Sequence, residues 1–469
     1  MPRVRLPDAQ DELVAALRAI REELELPESF PAEVEAEAAE AAARGARAEN
    51  DLTGIPFITI DPASSTDLDQ ALHLERDGTG YRVRYAIADV PAFVEPGGAI
   101  DTEARLRGQT LYAPDGRIPL HPTVLSEGAA SLLEGVDRPA FVWTFALDAT
   151  GAVTATTLER ALVRNRRKCS YIGAQADIDA GTADSSLALL PVIGELRLTL
   201  ERARGGASLD RPEDEIEVVD GRYRLVRRAP LQVESYNAQL SLMTGMAAAQ
   251  LMLTGRVGIL RTMPAPDTET LARFRAQAAA IGCPWPTTQP YGEYLRALDR
   301  TAPRGLAALH AAGALFRGAG YRAFDGEVPD DTIQAAIAAP YTHATAPLRR
   351  LVDRFVLVAC EALANDRPVP SWVRAALPTL PPIMSRSDSL SSRLDRASID
   401  AIEAALLRDR VGETFPVSVI SAKGSGGTVQ LTDPFISASI EGKVRPGDRI
   451  EATLVSADIA TGLVRFATT

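Results

Sequence analysis

The chain has 469 residues, of which 46% are hydrophobic and 24% charged, and its net charge is −12. This composition is typical of a folded protein of two or three domains, and the acidic balance argues against a protein that coats nucleic acid over its whole surface. The three cysteines lie far apart and no apolar run has membrane-spanning length. These features argue against a disulfide framework, a zinc site and a membrane span, and they favour a cytoplasmic protein.

Two helices are the first predicted elements, and they fill residues 1–48. Apolar residues recur at helical spacing in the first helix, at Leu13, Leu17, Ile20 and Leu24. After a proline-containing break, the Ala- and Glu-rich segment 32–47 predicts the second helix. We interpret residues 1–48 as a helical segment that packs on the main body.

The next predicted domain, residues 49–410, mixes strands and helices. Apolar patterning predicts strands over residues 57–60, 81–88, 140–147 and 153–158. Helical spacing then predicts helices over residues 193–204, 232–253, 267–281, 305–316 and 348–364. Five prolines within residues 366–384 predict a rigid loop, and a last helix is expected from about residue 390 to 410. The predicted fold class is therefore α+β.

The last predicted domain, residues 411–469, consists of short strands separated by turns. Five such strands in so short a segment are typical of a small closed β-barrel of the OB type. Three phenylalanines of this segment either stack on bases or fill the barrel core: Phe415, Phe435 and Phe466.

Segment 61–72 contains the densest group of candidate metal ligands. Asp61 ends a predicted strand, and Asp67 and Asp69 point the same way if the chain between them is extended. Three converging carboxylates repel one another unless a cation neutralises them, and ligands that are all oxygen suit Mg²⁺ or Mn²⁺. Such an ion assists phosphodiester hydrolysis. The alternative is a polar hairpin whose side chains only cap turns.

A second motif predicts the start of a helix beside paired arginines. Thr345 is the expected N-cap, and Pro347 fits the first turn. A helix N-terminus with the guanidinium groups of Arg349 and Arg350 suits a phosphate. The alternative is that Arg350 and Arg354 pair with nearby acids on a solvated face, an interpretation that we favour for Arg354.

A run of cations stands out in this acidic chain: Arg160, Arg164, Arg166, Arg167 and Lys168. The run predicts either one wall of a nucleic-acid channel or a set of solvated charges. Trp143 and Phe145 lie just before it in an apolar strand, and we interpret them as core residues.

The aspartate and arginine motifs together resemble the ribonuclease II (RNB) family. Residues 61–72 resemble its catalytic aspartate signature. Residues 341–353 resemble its Tyr-x-x-x-Thr-Ser-Pro-Ile-Arg-Arg motif, with Ala346 in place of Ser and Leu348 in place of Ile. Further blocks of the domain lie between them in the same order, at residues 87–114 and 118–132. The terminal barrel resembles the RNA-binding OB domain that usually follows.

This resemblance implies a hydrolytic, processive 3′→5′ exoribonuclease that degrades single-stranded RNA to nucleoside 5′-monophosphates with Mg²⁺, or alternatively Mn²⁺. The implied metal or water ligands are Asp61, Asp67 and Asp69, with Gln70 beside them, and Arg349 is implied to clamp a phosphate. The residues implied to contact RNA are Tyr171, Tyr112, Glu234, Arg350 and Tyr341. We expect a monomer with no membrane partner.

The sequence departs from the family pattern in three places. Asp69-Gln70 stands where the family has Asp-Asp, so the ligand set has one negative charge fewer. Ser241 stands where an Asn is common, and segment 1–48 stands in place of a pair of cold-shock barrels. Two alternatives to the exoribonuclease remain open: a catalytically weak RNA-binding relative, and a metal-dependent hydrolase of small phosphorylated substrates.

Overall fold

A computed structural model describes residues 10–45, 48, 50–207, 209, 213–219, 222–228, 230–300, 302–431 and 436–469. Its helices are α1 Gln10–Glu23, α2 Ala32–Arg44, α3 Ala99–Arg107, α4 Tyr171–Ala180, α5 Leu190–Ala203, α6 Gln232–Gly255, α7 Thr268–Ile281, α8 Tyr291–Ala297, α9 Pro303–Ala312, α10 Leu351–Ala364, α11 Ser371–Ala376 and α12 Leu380–Leu407. Its strands are β1 Asn50–Asp51, β2 Phe57–Asp61, β3 Gln70–Asp77, β4 Gly80–Ala88, β5 Leu111–Ala113, β6 Gly116–Ile118, β7 Asp137–Leu147, β8 Val153–Ser170, β9 Glu213–Val219, β10 Arg222–Arg228, β11 Val257–Thr262, β12 Gly320–Asp325, β13 Ile333–Gln334, β14 Ala339–Pro340, β15 Thr414–Lys423, β16 Gly426–Leu431, β17 Ser437–Glu441, β18 Arg449–Asp458 and β19 Leu463–Thr468.

A curled sheet in the order β1-β8-β2-β3-β4-β7 forms the centre of the larger domain. β8 is long enough to pair with three strands: its first part pairs antiparallel with β7, its middle pairs parallel with the short β1, and its last residues pair parallel with β2. Trp143 and Phe145 of β7 are completely buried, which confirms them as core residues. The parallel β2–β8 pair ends at Asp61 and Ser170, so the carboxyl ends of both strands open at one edge of the sheet.

Two long helices cover this sheet and close its core. Leu240, Met243 and Met252 of α6 belong to the same buried cluster as Phe355 and Val356 of α10. Helix α10 lies almost entirely inside the protein, which fits its apolar sequence and the position of the arginine motif just before it.

The proline-rich segment is helical where the sequence predicted a loop. Residues 371–376 form α11, and α12 begins at Leu380 rather than near residue 390. Pro381 and Pro382 lie in the first turn of α12. A first turn leaves backbone N–H groups without helical partners, so a proline there removes no hydrogen bond.

The terminal strands form a closed barrel in the order β15-β16-β17-β19-β18, as the sequence predicted. Phe415 and Phe466 are buried and contact edge to face at 5.7 Å, so both belong to the barrel core. Phe435 lies outside the described residues. The barrel core is continuous with apolar residues of α12 and with Leu13 and Leu17 of α1. The N-terminal helix is therefore part of the body that holds the barrel.

No helix within the described ranges is both long and apolar enough to cross a membrane.

Candidate active-site cleft

A cleft of about 650 Å³ opens at the sheet edge where β2 and β8 end. We call it the carboxylate cleft. Seven residues singled out by the sequence line it together: Asp61, Asp67, Asp69, Gln70, Tyr112, Tyr171 and Arg349. They come from β2, from the turn before β3, from the first residue of β3, from β5, from the start of α4 and from the segment before α10. The fold thus joins residues that are almost 290 positions apart in sequence, from 61 to 349.

Two of the aspartates, the buried Asp69 and the half-buried Asp61, lack full compensation of their charge. Burial raises the pKa of Asp69 to about 8, although the Arg349 guanidinium and the Leu348 backbone N–H oppose this rise. Burial also raises the pKa of Asp61 to about 6, against the pull of Lys168. Asp61 Oδ2 is buried and has no hydrogen-bond partner among the described residues. Both carboxylates would gain from a cation in the cleft.

The third aspartate already has a cationic partner, which sequence reasoning missed. Arg117, on β6, donates to Asp67 Oδ1 at 2.8 Å, and its other terminal nitrogen lies 2.5 Å from Glu127 Oε1. The signal was the position of Arg117 only five residues after Tyr112: on a tight hairpin such as β5–β6, both side chains reach the same site.

The cleft suits Mg²⁺ by the chemistry of its donors. Asp61, Asp67 and Asp69 offer only oxygen ligands. The Asp61 Oδ2 atom has no hydrogen-bond partner among the described residues, and the raised pKa of Asp69 shows that its negative charge is not fully compensated. However, the described part of the chain has no group of three or more His, Cys, Asp or Glu side chains arranged to hold a metal ion. Asp67 would therefore have to exchange Arg117 for the ion.

The arginine segment, residues 345–350, is irregular, which corrects the sequence prediction. Helix α10 begins at Leu351 with Arg350 as its N-cap, so Thr345 is not the N-cap and Pro347 precedes the first turn. Instead, Asp353 Oδ1 accepts from the backbone N–H of Ala346 at 2.7 Å and folds the segment back over the helix start. This arrangement turns Arg349 towards Asp69, with 3.5 Å between its Nε and Oδ2.

Gln70 connects the carboxylate strand to the arginine segment. Its amide nitrogen donates to the carbonyl oxygen of Thr345 at 2.6 Å, and its amide oxygen accepts from the buried Tyr85 hydroxyl. The Thr345 hydroxyl in turn lies 2.7 Å from the Ser241 hydroxyl on α6. Both departures from the family pattern, Gln70 and Ser241, thus belong to one polar network. The ligand role predicted for Gln70 stays a prediction, and Tyr85 already uses one lone pair of its oxygen.

Two tyrosines face the cleft from opposite elements. Tyr171 is the first residue of α4, where the Ser170 hydroxyl caps the helix by accepting from Gly173 N at 3.0 Å. Burial and the nearby Asp61 charge raise the pKa of Tyr171, while a hydrogen bond with Asn237 lowers it. Tyr112 leaves 48% of its surface exposed, although burial of its phenol and Asp67 raise its pKa to about 12. Asn237 is a second residue of this site that the sequence did not reveal.

Three predicted RNA-contacting residues do not line the cleft. Glu234 lies in the first turn of α6, where it accepts from Leu231 N at 2.8 Å, and its charge acts on Tyr171. Tyr341 is buried against Gly245, where a Cβ would meet its ring at 2.2 Å. Arg350 donates twice to Asp353, at 2.9 and 3.0 Å. These positions support the segment around the cleft.

Arg354 contradicts the interpretation that it lies on a solvated face. Its side chain is completely buried and donates to Asp101 at 2.6 Å. The pairing with an acid was expected, but the partner lies on α3, 253 residues earlier, beyond the reach of local sequence reasoning. A charge pair of this kind is tolerated inside a protein when its geometry is good.

The cationic side chains of the run on β8 form ion pairs and hydrogen bonds within the chain. Ion pairs join Arg160 to Asp89, Arg164 to Asp137, and Arg167 to Asp177 and Asp184. Arg166 donates to Thr53 O, and Lys168 donates to the carbonyl oxygens of Ala63 and Ser65. The run is therefore mainly structural, and Lys168 fixes the turn between Asp61 and Asp67.

Comparisons with known proteins identify two domains in this chain. The RNB domain model matches residues 49–365, and the model of the RNase II-type exonuclease C-terminal S1 domain matches residues 413–469. Ribonuclease R of Escherichia coli (strain K12) is 26% identical over 420 residues, which are 83% of this chain and 51% of that protein. Exosome complex exonuclease RRP44 homolog A of Arabidopsis thaliana is 30% identical over 331 residues, or 65% of this chain and 34% of that protein. The chain thus spans about half or less of the length of these relatives.

Solved structures share the fold at low sequence identity. Mycoplasma genitalium RNase R in complex with ribose methylated single-stranded RNA superposes with a TM-score of 0.87 at 19% identity, covering 98% of this chain and 78% of that chain. Yeast Ssd1, described as a pseudonuclease, gives a TM-score of 0.72 at 16% identity, covering 94% of this chain and 57% of that chain. Because the RNB model matches more than half of the chain, with the aspartates and the arginine segment inside the match, this protein belongs to the RNB family.

Proposed function

We propose that this protein is a 3′→5′ exoribonuclease that hydrolyses single-stranded RNA processively to nucleoside 5′-monophosphates. One observation carries the proposal: a single cleft is lined by three aspartates, an arginine and two tyrosines that come from five parts of an RNB domain. A cation held by the carboxylates, together with arginine, suits the scissile phosphate, and tyrosines suit unpaired bases.

The aspartates of the carboxylate cleft would hold Mg²⁺ or Mn²⁺. When bound, such an ion supplies polarisation of the phosphoryl oxygen and activation of water. The chain's own contribution is to keep Asp61 and Asp69 buried and short of partners, so that they favour a cation. Lys168 holds the turn between the aspartates, and Leu348 N fixes the orientation of Asp69.

Arg349 would bind the scissile phosphate. Its side chain is 42% exposed and lies in the cleft, and only its Nε lies near Asp69 at 3.5 Å among the described contacts, so its terminal nitrogens can form the two-pronged contact that arginine makes with phosphates. Tyr171 and Tyr112 would stack on bases near the 3′ end, because each presents a ring to the same cleft.

The experiment that tests the metal and the product is a digestion of 5′-labelled single-stranded RNA by the purified protein. EDTA should stop cleavage, and added Mg²⁺ or Mn²⁺ should restore it. Released nucleotides should carry a 5′-phosphate, and an excess of unlabelled competitor RNA, added after binding, should not halt chains already under degradation. A 3′-phosphate or a duplexed 3′ end should slow the reaction. Release of nucleoside 3′-phosphates would refute the proposal.

A second candidate, a catalytically weak RNA-binding relative, is favoured by two observations. Asp67 is already paired with Arg117, and the Gln70 amide is engaged at both ends. RNA binding without cleavage at every Mg²⁺ or Mn²⁺ concentration would support this second candidate.

A further inference from the structure

We propose that the N-terminal helical segment positions the active-site hairpin, with the Arg21–Asp115 ion pair as the contact that holds its tip. The hairpin, β5–β6, is the element that brings Tyr112 and Arg117 to the carboxylate cleft. The inference rests on the proposed function, because it assigns to residues 10–26 a role in RNA binding at that same cleft.

Helix α1 is anchored in a buried core. Leu13 and Leu17 are buried, at 0% and 2% exposure, in the cluster that also contains Ile402 of α12 and Phe466 of the barrel. Glu12 forms an ion pair with Arg408, just beyond α12. One face of α1 is therefore fixed to the body that joins the two domains, and the helix is a firm support.

The last turn of α1 contacts the β5–β6 hairpin. Arg21, in the last turn of α1, forms an ion pair with Asp115 in the two-residue turn between β5 and β6. The side chains are only 21% and 17% exposed, so solvent screens the pair less than an ordinary surface pair. Below the turn, Leu26 packs in one small cluster with Leu111, Ile118 and Leu394.

The β5–β6 hairpin places two side chains at the carboxylate cleft. β5 and β6 form a separate two-stranded sheet that pairs with no other strand among those described. An isolated two-stranded hairpin is marginally stable and needs packing to hold its position. Arg117 reaches from it to Asp67 at 2.8 Å, and Tyr112 presents its ring on the opposite strand. The contacts from α1 to the hairpin therefore determine the positions of the Tyr112 ring and of Arg117, the partner of Asp67.

The test uses the full chain with Arg21→Glu, Asp115→Arg and the double variant that swaps the charges. Arg18→Glu is the matched control, because Arg18 lies on the same helix, is 71% exposed and pairs only locally with Glu22. Hydrogen exchange of residues 111–118 should be about threefold to fivefold faster in each single variant and return towards normal in the double variant. The control should not change it.

The link to RNA is measured as affinity for a single-stranded oligonucleotide in EDTA, so that cleavage plays no part. Each single variant should weaken binding about threefold to fivefold, and the swap should restore it. In a Tyr112→Ala background, Arg21→Glu should have no further effect, which a merely structural loss of stability would not produce. Unchanged hairpin exchange, or unchanged affinity despite faster exchange, would overturn the inference. If the natural protein binds no RNA, the proposed function fails, whereas hydrogen exchange still shows whether the Arg21–Asp115 ion pair holds the hairpin.

Discussion

At the scale of single residues, the chemistry of the cleft depends on carboxylates that the fold leaves incompletely compensated. Asp69 is 5% exposed and its pKa is raised to about 8, mainly by burial. Its Oδ1 accepts from Leu348 N, so an amide at this position keeps that contact through its own oxygen. The charge and the structural contact of Asp69 can therefore be separated by one substitution.

Asp69→Asn should lower cleavage by about a hundredfold or more while leaving RNA affinity nearly unchanged, since it removes a charge needed only for metal-assisted hydrolysis. Rate constants and affinities measured on the same oligonucleotide check this. Asp77→Asn, at the exposed far end of β3, the strand that Asp69 immediately precedes, is the matched control and should behave as the natural protein. Robust cleavage by Asp69→Asn would remove the aspartate from the site.

Testing Gln70 requires two variants, because two effects meet at this position. Gln70 lacks the negative charge of the family pattern, and its amide forms hydrogen bonds that hold neighbouring segments together. Gln70→Asp adds a carboxylate, but a carboxylate cannot donate to the Thr345 carbonyl oxygen, and its shorter side chain also weakens the contact with the Tyr85 hydroxyl. We expect it to lower the Mg²⁺ concentration for half-maximal rate and to cost about 1–3 kcal/mol of stability. Tyr85→Phe, which loses only one hydrogen bond, should cost about 1 kcal/mol without changing the Mg²⁺ requirement.

Titrating the rate with Mg²⁺ and melting each protein separates these effects. If the natural protein is inert at all Mg²⁺ concentrations and Gln70→Asp activates it, the binding-relative interpretation replaces ours.

At the scale of elements, the barrel and the N-terminal helix share one core. Leu17→Ala on α1 should destabilise the protein by about 2–4 kcal/mol, because it opens a cavity where α1, α12 and the barrel meet. Val14→Ala, on the same helix but 46% exposed, should cost less than about 0.5 kcal/mol. Chemical denaturation of the three proteins measures the difference, and equal stabilities would show that α1 is not part of this core.

The shared core also determines how a role of the barrel in RNA binding is tested. Removing residues 412–469 would uncover Leu13 and Leu17, so point substitutions are the cleaner experiment. Lys423, Lys443 and Arg445 are exposed on the barrel. Replacing all three with Gln should weaken RNA binding and reduce its salt dependence by about one unit of slope per lost phosphate contact. Arg76→Gln, exposed on β3, is the control, and an unchanged salt slope would make the barrel purely structural.

Local patterns in the sequence predicted the elements well, and they failed where a distant partner decides the structure. The helices α1, α6 and α7 and the terminal barrel follow from apolar spacing. The prolines of residues 366–384 were interpreted as loop formers, although a first helical turn accepts them. Thr345 was interpreted as a cap, although Asp353 folds that segment and delays the helix to Leu351.

In the site, too, local sequence predicted the lining residues but not the contacts that depend on distant residues. The spacing of Asp61, Asp67 and Asp69 and the family resemblance led to the residues that line the cleft. The hairpin spacing of Tyr112 and Arg117 could have placed Arg117 at the cleft, but no local pattern identifies Asp67 as its partner. Nor could a local pattern reveal that Arg354 pairs with Asp101, because that contact joins elements distant in sequence.

At the scale of the whole molecule, the position of the cleft bears on the direction in which RNA is degraded. The carboxylate cleft lies at one edge of the curled sheet, with Tyr171 and Tyr112 on elements that flank the aspartates. If the tyrosines stack on an unpaired 3′ end, the substrate must offer such an end, and the enzyme cannot start within a closed strand.

The most direct measurement compares a linear single-stranded RNA with the same sequence closed into a circle, each with Mg²⁺, with EDTA and with the Asp69→Asn protein. The account predicts that the linear RNA is shortened from its 3′ end only by the natural protein with Mg²⁺, and that the circular RNA stays intact. Cleavage of the circle as fast as the linear strand would show an endonuclease and contradict the account.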